Sequence, residues 1–262
     1  MGPIYFRTPH CVQVFGVCNE GLPQQIHYLL GEGETIGENG SGSHGPNTVL
    51  SLIHHYFLHY GMHEKEVFLH ADNCAGQNKN KTVLAYLLWH VLTGRHRRIT
   101  LSFMIVGHTR CTVDGFFGLF KQTYRRSDAD TMAHLVEVVE RSASANSTQY
   151  YNDADKPVRF FSWDTFLGQI FTPTKGISKF HHFEMDIEQP GLVKAKASLS
   201  GETQTVWLLK KNVTTDLVVA TGLPPVVPPG GISEERKRYL FKHVREFFRP
   251  DFQDLMCPNP NL

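Results

Sequence analysis

"VFLHADNCAGQNKNK", residues 67–81, decides how this chain folds. Glu66 to Ala71 is short and nearly continuously apolar, the composition of a buried strand in a parallel sheet. The residues that follow crowd Gly76, amides and lysines around one carboxylate, Asp72, and read as a tight polar turn. Apolar residues then return at helical density from Thr82 to Leu92 and stop at Gly94. Strand, turn and helix in that order announce an α/β fold. Strand side chains alternate, so Phe68, His70 and Asp72 share one face. Asp72 stands at the carboxyl end, where open α/β sheets bind ligands.

Downstream, a second strand, Ile99 to Val106, runs into "GHTRCTVDGFFGLFK" (107–121). His108 falls just past its end, and Asp114 opens a helix running to Arg126, followed by another from Asp130 to Arg141. Two adjacent parallel strands would deliver two carboxylates to one sheet edge. Upstream, Cys11–Cys18 and Gln25–Leu30 flank a turn at Pro23 and read as antiparallel strands. A Gly/Ser-rich stretch, 31–46, leads to a helix starting at Asn47 or Thr48. Its apolar positions Val49, Leu52, Ile53, Tyr56, Phe57 and Tyr60 follow the helical period, and Gly61 stops it. His54, His55, His59 and His63 on or after this helix read as surface residues. The order ββ-loop-α-β-α-β-α spans a first domain, 1–145.

Residues 146–262 form a smaller α+β extension. A short helix begins at Phe160–Asp164, and His181–Met185 and Thr203–Lys210 are strands. A Pro/Gly segment, Gly222–Gly231, precedes a terminal basic helix, Ser233–Phe248, capped by Ser233.

Composition bounds function. With 262 residues, 41% hydrophobic and 19% charged, the chain can bury a core in one large or two small domains. A net charge of +1 leaves any nucleic-acid reading to charge clustering. No secretory signal opens the chain, and no apolar run approaches the roughly 20 residues of a membrane span. The expected setting is intracellular, without membrane. Five cysteines with no CxxC pair argue for reduced thiols, against a disulfide framework or zinc ribbon.

The chemistry that Asp72 and Asp114 suggest is divalent-metal binding, since Mg²⁺ or Mn²⁺ takes oxygen ligands and paired ions drive phosphodiester displacement. The bland alternative is that each aspartate only caps a turn or helix. Gln77, Asn78 and Asn80 can hydrogen-bond phosphate or base edges, and Lys79 can neutralise backbone charge. On the Asp114 helix, Gly118, Lys121 or Gln122, and Arg125 lie on the acid's side, so Lys121 and Arg125 are further candidate phosphate contacts. A polar turn and a solvated basic face are the competing readings. A Cys74 nucleophile with His70 or His108 as base lacks a recognisable signature. His181 and His182 point to opposite faces, so at most one of them joins a metal site.

"DNCAGQNKNK" (72–81), "GHTRCTVDGFFGLFK" and "YLFKHVREFFRPDFQDLMCP" (239–258) together resemble an uncharacterised domain family of transposon-derived open reading frames, from "GPIYFRTP" to the last "CPNP". The element order is similar to the ribonuclease H-like fold of DDE/DDD transposases and integrases. That resemblance implies a mixed sheet flanked by helices, DNA as partner, Mg²⁺ or Mn²⁺, assembly into oligomers and a nuclear site of action. Asp72 takes the place of the second acid and Asp114 of the third, with His70 and His108 supporting them. The first acid sits in relatives on a central strand ahead of this stretch. Here Asp72 is the first aspartate, so residues 1–262 are expected to lack that strand and to leave unpaired strand edges. The expected activity is a metal-dependent nuclease or polynucleotidyl transferase. The alternative is a catalytically inactive nucleic-acid-binding or protein-interaction domain on the same scaffold.

Overall fold

A hairpin opens the first of two units. Strands β1 (Val12–Asn19) and β2 (Gln24–Gly31) pair antiparallel, with Val12 opposite Gly31 and Asn19 opposite Gln24. Asn19 closes the turn by accepting from the Gly21 and Leu22 amides at 3.0 and 3.2 Å, an Asx turn of the type short polar residues favour. The structure is a computed structural model and describes residues 3–37, 45–104, 111–173 and 175–260.

Strand β5 (Asn146–Tyr150) joins β2 in parallel, giving the order β1-β2-β5. Helices α3 (Thr112–Tyr124) and α4 (Met132–Ser142) cover this sheet, and Leu29, Phe120, Leu135, Val138 and Val139 fill the space between. A Cβ added at Gly16 would lie 2.7 Å from the Phe117 ring, so α3 crosses β1 where only glycine fits. The helices α7 (Glu234–His243) and α8 (Pro250–Met256) belong to the same unit. Ser233 caps α7 as expected. Arg236 of α7 donates to Glu32 at 3.0 Å and to the Thr8 and Pro9 carbonyls. The unit comprises residues 1–42, 110–158 and 229–262.

The second unit, 43–109 and 159–228, is built on a five-stranded sheet of order β3-β4-β6-β7-β8. Strands β3 (Glu66–Ala71) and β4 (Arg98–Phe103) run parallel, joined by α2 (Lys81–Leu92). Strands β6 (His182–Asp186), β7 (Leu192–Lys196) and β8 (Gln204–Trp207) continue antiparallel. Ile99, Leu101, Phe103, Phe183, Met185, Val193 and Ala195 point into the core that α2 closes. Helix α2 is buried from Thr82 to Leu92 because α1 (Pro46–His59), α5 (Trp163–Ile170) and α6 (Thr215–Thr221) also pack against it. Gly94, at φ +70°, terminates it in the left-handed conformation glycine tolerates best. Among the described residues no helix is long and apolar enough to cross a membrane.

The chain is therefore a mixed α/β protein with two mixed sheets flanked by helices. Three expectations change. The hairpin and the β3–β4 pair lie in different sheets, β1 ending one and β3 ending the other. Strand β3 was expected to be buried on both faces, yet only Val67 is buried and Phe68 is 70% exposed. His54 and His55, expected at the surface, are buried, because α1 has a second apolar neighbour in the segment around Trp163. The 145/146 division of the sequence falls within the first unit, between α4 and β5.

Candidate functional site

The stretch after β3 is a loop closed on itself by its own polar side chains. Asp72 Oδ1 accepts from the Cys74 amide at 3.0 Å and from Asn78 Nδ2 at 2.8 Å. The Cys74 carbonyl accepts from the amides of Gln77, Asn78 and Lys79 at 2.8 to 3.2 Å. Asn73 bridges two elements: its Nδ2 donates to the Met104 carbonyl after β4, and its Oδ1 accepts from Lys79 Nζ at 2.9 Å. The same ammonium lies 5.2 Å from the centre of the Phe103 ring, and burial lowers its pKa. Asn80 is the N-cap of α2, its Oδ1 accepting from the Thr82 and Val83 amides at 3.0 and 3.1 Å while its Nδ2 donates to Gln77 O. Helix starts leave such amides without partners, so Asn80→Ala is expected to cost about 1 kcal/mol, measured by urea denaturation.

Of the loop residues read from sequence as nucleic-acid contacts, Asn78, Lys79 and Asn80 thus have side chains engaged in holding the loop. Gln77 has no side-chain partner among the described residues. Asp72 is exposed, as are Cys74 and Lys81. His70 is exposed on the last turn of β3, opposite Ser102 of β4.

In the first unit, Asp114 stands in the first turn of α3 and completes a capping box with Cys111. Its Oδ2 accepts from the Cys111 amide at 3.5 Å and the thiol at 3.4 Å. Burial first, then the Asp114 carboxylate, pushes the Cys111 thiol pKa up. Val14, Asp114, Phe117, Phe120 and Lys121 line an open groove of about 350 Å³ between β1 and α3. Asp114 and Lys121, two turns apart, therefore border one space. Arg125 is the exposed C-cap of the same helix, and Cβ atoms at Gly115 and Gly118 would meet nothing within 4 Å. The Asp114 face of α3 is thus smooth and open.

Asp72 belongs to the second unit and Asp114 to the first. His108 lies outside the described residues. Among the described residues no group of three or more His, Cys, Asp or Glu side chains is arranged to hold a metal ion.

Two polar groupings escaped the sequence reading. Ser102 Oγ lies 2.9 Å from His182 Nδ1 across β4 and β6. A buried chain joins His54 Nδ1 to the Tyr86 hydroxyl at 3.1 Å, that hydroxyl to His90 Nε2 at 2.7 Å, and His90 Nδ1 to His96 Nδ1 at 3.1 Å. Strand alternation places Ser102 and His182 on one face but cannot pair them. The spacing of Tyr86 and His90 by four residues on α2 was a usable signal for the second.

No curated protein and no solved structure matches this chain. Residues 25–200, well over half of the sequence, match a protein family described as a domain of unknown function, DUF7869. That span runs from β2 to the turn after β7 and contains both candidate aspartates. The chain belongs to the DUF7869 family.

Proposed function

We propose that this chain is the core of a transposable-element-derived nuclease, transposase- or integrase-like, acting on DNA phosphodiesters with Mg²⁺ or Mn²⁺. The observation that carries the reading is which strands end the sheets: β1 closes one and β3 closes the other. In a ribonuclease H-like fold a single central strand, bearing the first acid, pairs with the strands in these two positions. The order hairpin, α1, β3, α2, β4, α3 follows that fold as well.

Asp72 and Asp114 fit hard divalent cations by donor type. Each keeps one carboxylate oxygen, Asp72 Oδ2 and Asp114 Oδ1, outside any hydrogen bond among the described residues. In this reading each supplies a carboxylate ligand to the metal ions. When bound, the ions stabilise the attacking and leaving oxygens of the displacement. Lys121 and Arg125 hold the phosphate chain along the open side of α3, and the loop 72–80 arrives preorganised, so little ordering entropy is lost on binding. A nuclear site of action and oligomeric assembly belong to the same reading.

The test is cleavage of supercoiled plasmid by the full chain in Mg²⁺, alone and with a synthetic β-strand peptide carrying a central aspartate. Nicking that needs the metal and the peptide, and disappears in Asp72→Asn and Asp114→Asn, is the expected result. Cleavage indifferent to both substitutions sinks the proposal.

A second reading, a catalytically inactive nucleic-acid-binding or protein-interaction domain, draws on the structural work of the same side chains. Asp72 ties the loop and Asp114 caps α3, tasks that need no metal. DNA binding with no cleavage under any of these conditions favours it.

A further inference from the structure

The second unit's sheet has two unlike faces. One, with Ile99, Leu101, Phe183 and Val193, is sealed by α2. The other carries the alternate residues, which are half-buried or exposed in β3, β4 and β7. The strand register sorts them into rows. Glu66, Arg98 and Asp186 form the first, and Arg98 pairs with Asp186 at 2.6 Å and Glu66 at 3.9 Å. Phe68, Thr100, Glu184 and Lys194 form the second, with Lys194 on Glu184 at 3.1 Å. The basic side chain of each of these rows has an acid partner.

The third row is His70, Ser102, His182 and Lys196, and it contains no acid. Lys196 has no ion-pair partner among the described residues. Lys196 supplies the positive charge of this row; burial first, then electrostatic interaction with His181, Lys196 and His70, lowers the His182 pKa. With hydrogen on Nε2, His182 accepts the Ser102 hydroxyl at Nδ1 and leaves Nε2–H to donate outward. A lysine, an imidazole N–H and a nearby histidine in one row suit an anion. Two residues before His70 on β3, and two strands from His182, Phe68 presents a ring that is 70% exposed on the same face. Trp207, 58% exposed, stands on that face at the far strand, β8.

We propose that this open face binds single-stranded nucleic acid, with Lys196 and His182 holding a backbone phosphate and Phe68 stacking on a base. The class of partner rests on the nucleic-acid reading above; the site does not involve Asp72 or Asp114. Exposed aromatic rings beside a basic row are what unpaired bases need, whereas a duplex hides its base faces. The phosphate gives Lys196 the counter-charge that its own row lacks.

The experiment is fluorescence anisotropy of a labelled oligothymidylate with the full chain in EDTA, beside a duplex of equal length and inorganic phosphate as competitor. Lys196→Ala and Phe68→Ala are each expected to weaken oligothymidylate binding roughly tenfold. Lys196→Ala should also flatten the dependence of log K on log salt by about 0.7, whereas Phe68→Ala should leave that slope alone. Both side chains reach solvent, and unchanged melting curves certify the fold. The His182 imidazole, followed by NMR and assigned with His182→Gln, should titrate at higher pH when the oligonucleotide is bound. Equal affinity for duplex and single strand, or wild-type affinity in both variants, overturns the proposal, as does a phosphate that shifts His182 when the oligonucleotide does not. Because the assay uses neither metal nor cleavage, it can fail while the nuclease reading stands and succeed while that reading falls.

Discussion

Lowering the pH from 7 to 4 is expected to destabilise the fold by about 3 kcal/mol through His54 alone. His54 is 6% exposed, ringed by Tyr86, Trp89, His90, Phe161 and Trp163. Burial, with smaller pushes from Arg95 and His55, takes its pKa down from 6.5 to about 4. The unfolded chain therefore binds a proton below pH 6.5 that the folded chain refuses until about pH 4. Stability is full above the unfolded pKa and falls as the pH drops through this window. His90 and His96 are lowered as well, each first by burial, and steepen the loss in the same direction.

Burial holds these imidazoles neutral, and the hydrogen-bond chain is complete with all three in that form. A neutral imidazole has one N–H and one acceptor, so if Tyr86 donates to His90 Nε2, His90 must donate from Nδ1 to His96, and Tyr86 must accept from His54. The reverse polarity is equally consistent. Urea denaturation at a series of pH values, read by Trp89 and Trp163 fluorescence, measures the slope. His54→Phe should flatten it between pH 6.5 and 4. The depressed carboxylates, such as Asp186 beside Arg98, act lower, as pH falls through their folded values. A slope in the histidine window that is the same in His54→Phe would show that the chain does not set acid stability.

How much of this could be read beforehand differs from element to element. Strand β3 and the cap of α7 at Ser233 were legible to the residue, because alternation, capping and punctuation are local signals. Helix α2 was placed within one residue; its cap, Asn80, had been read as a ligand. Strand β5 was not: Asn146-Ser147-Thr148-Gln149-Tyr150 has no apolar alternation, and only β2's backbone makes it a strand. Which sheet a strand joins depends on partners far along the chain, so the separation of β1–β2 from β3–β4 had no local signature. The same holds for His54, whose burial is decided by Phe161 and Trp163 more than a hundred residues away. For the site, polarity was visible and its use was not. Asn78, Lys79 and Asn80 have the composition of a binding loop, and their side chains hold the loop itself.

Ser51→Ala should be among the most damaging single-atom deletions in the second unit, costing about 3 kcal/mol. Ser51 is fully buried, and its hydroxyl uses its whole bonding capacity. It donates to the Asn47 carbonyl at 2.7 Å and accepts from the Phe161 amide at 3.0 Å and from Trp163 Nε1 at 3.2 Å. Alanine removes one oxygen and leaves two buried N–H donors without an acceptor, each at a desolvation cost of roughly 1–3 kcal/mol. The lost bonds join α1 to the start of α5, where Asn47 also accepts from the Asp164 amide at 2.9 Å. Loosening that joint should also expose Trp163, the side chain that closes over His54, so the His54 pKa should move back toward its ordinary value and the pH dependence of stability should shrink. A double-mutant cycle isolates the indole. In Trp163→Phe the second donor is already gone, so Ser51→Ala in that background should cost about 1 kcal/mol less than in the native chain. Equal costs in both backgrounds would mean that the indole finds another acceptor.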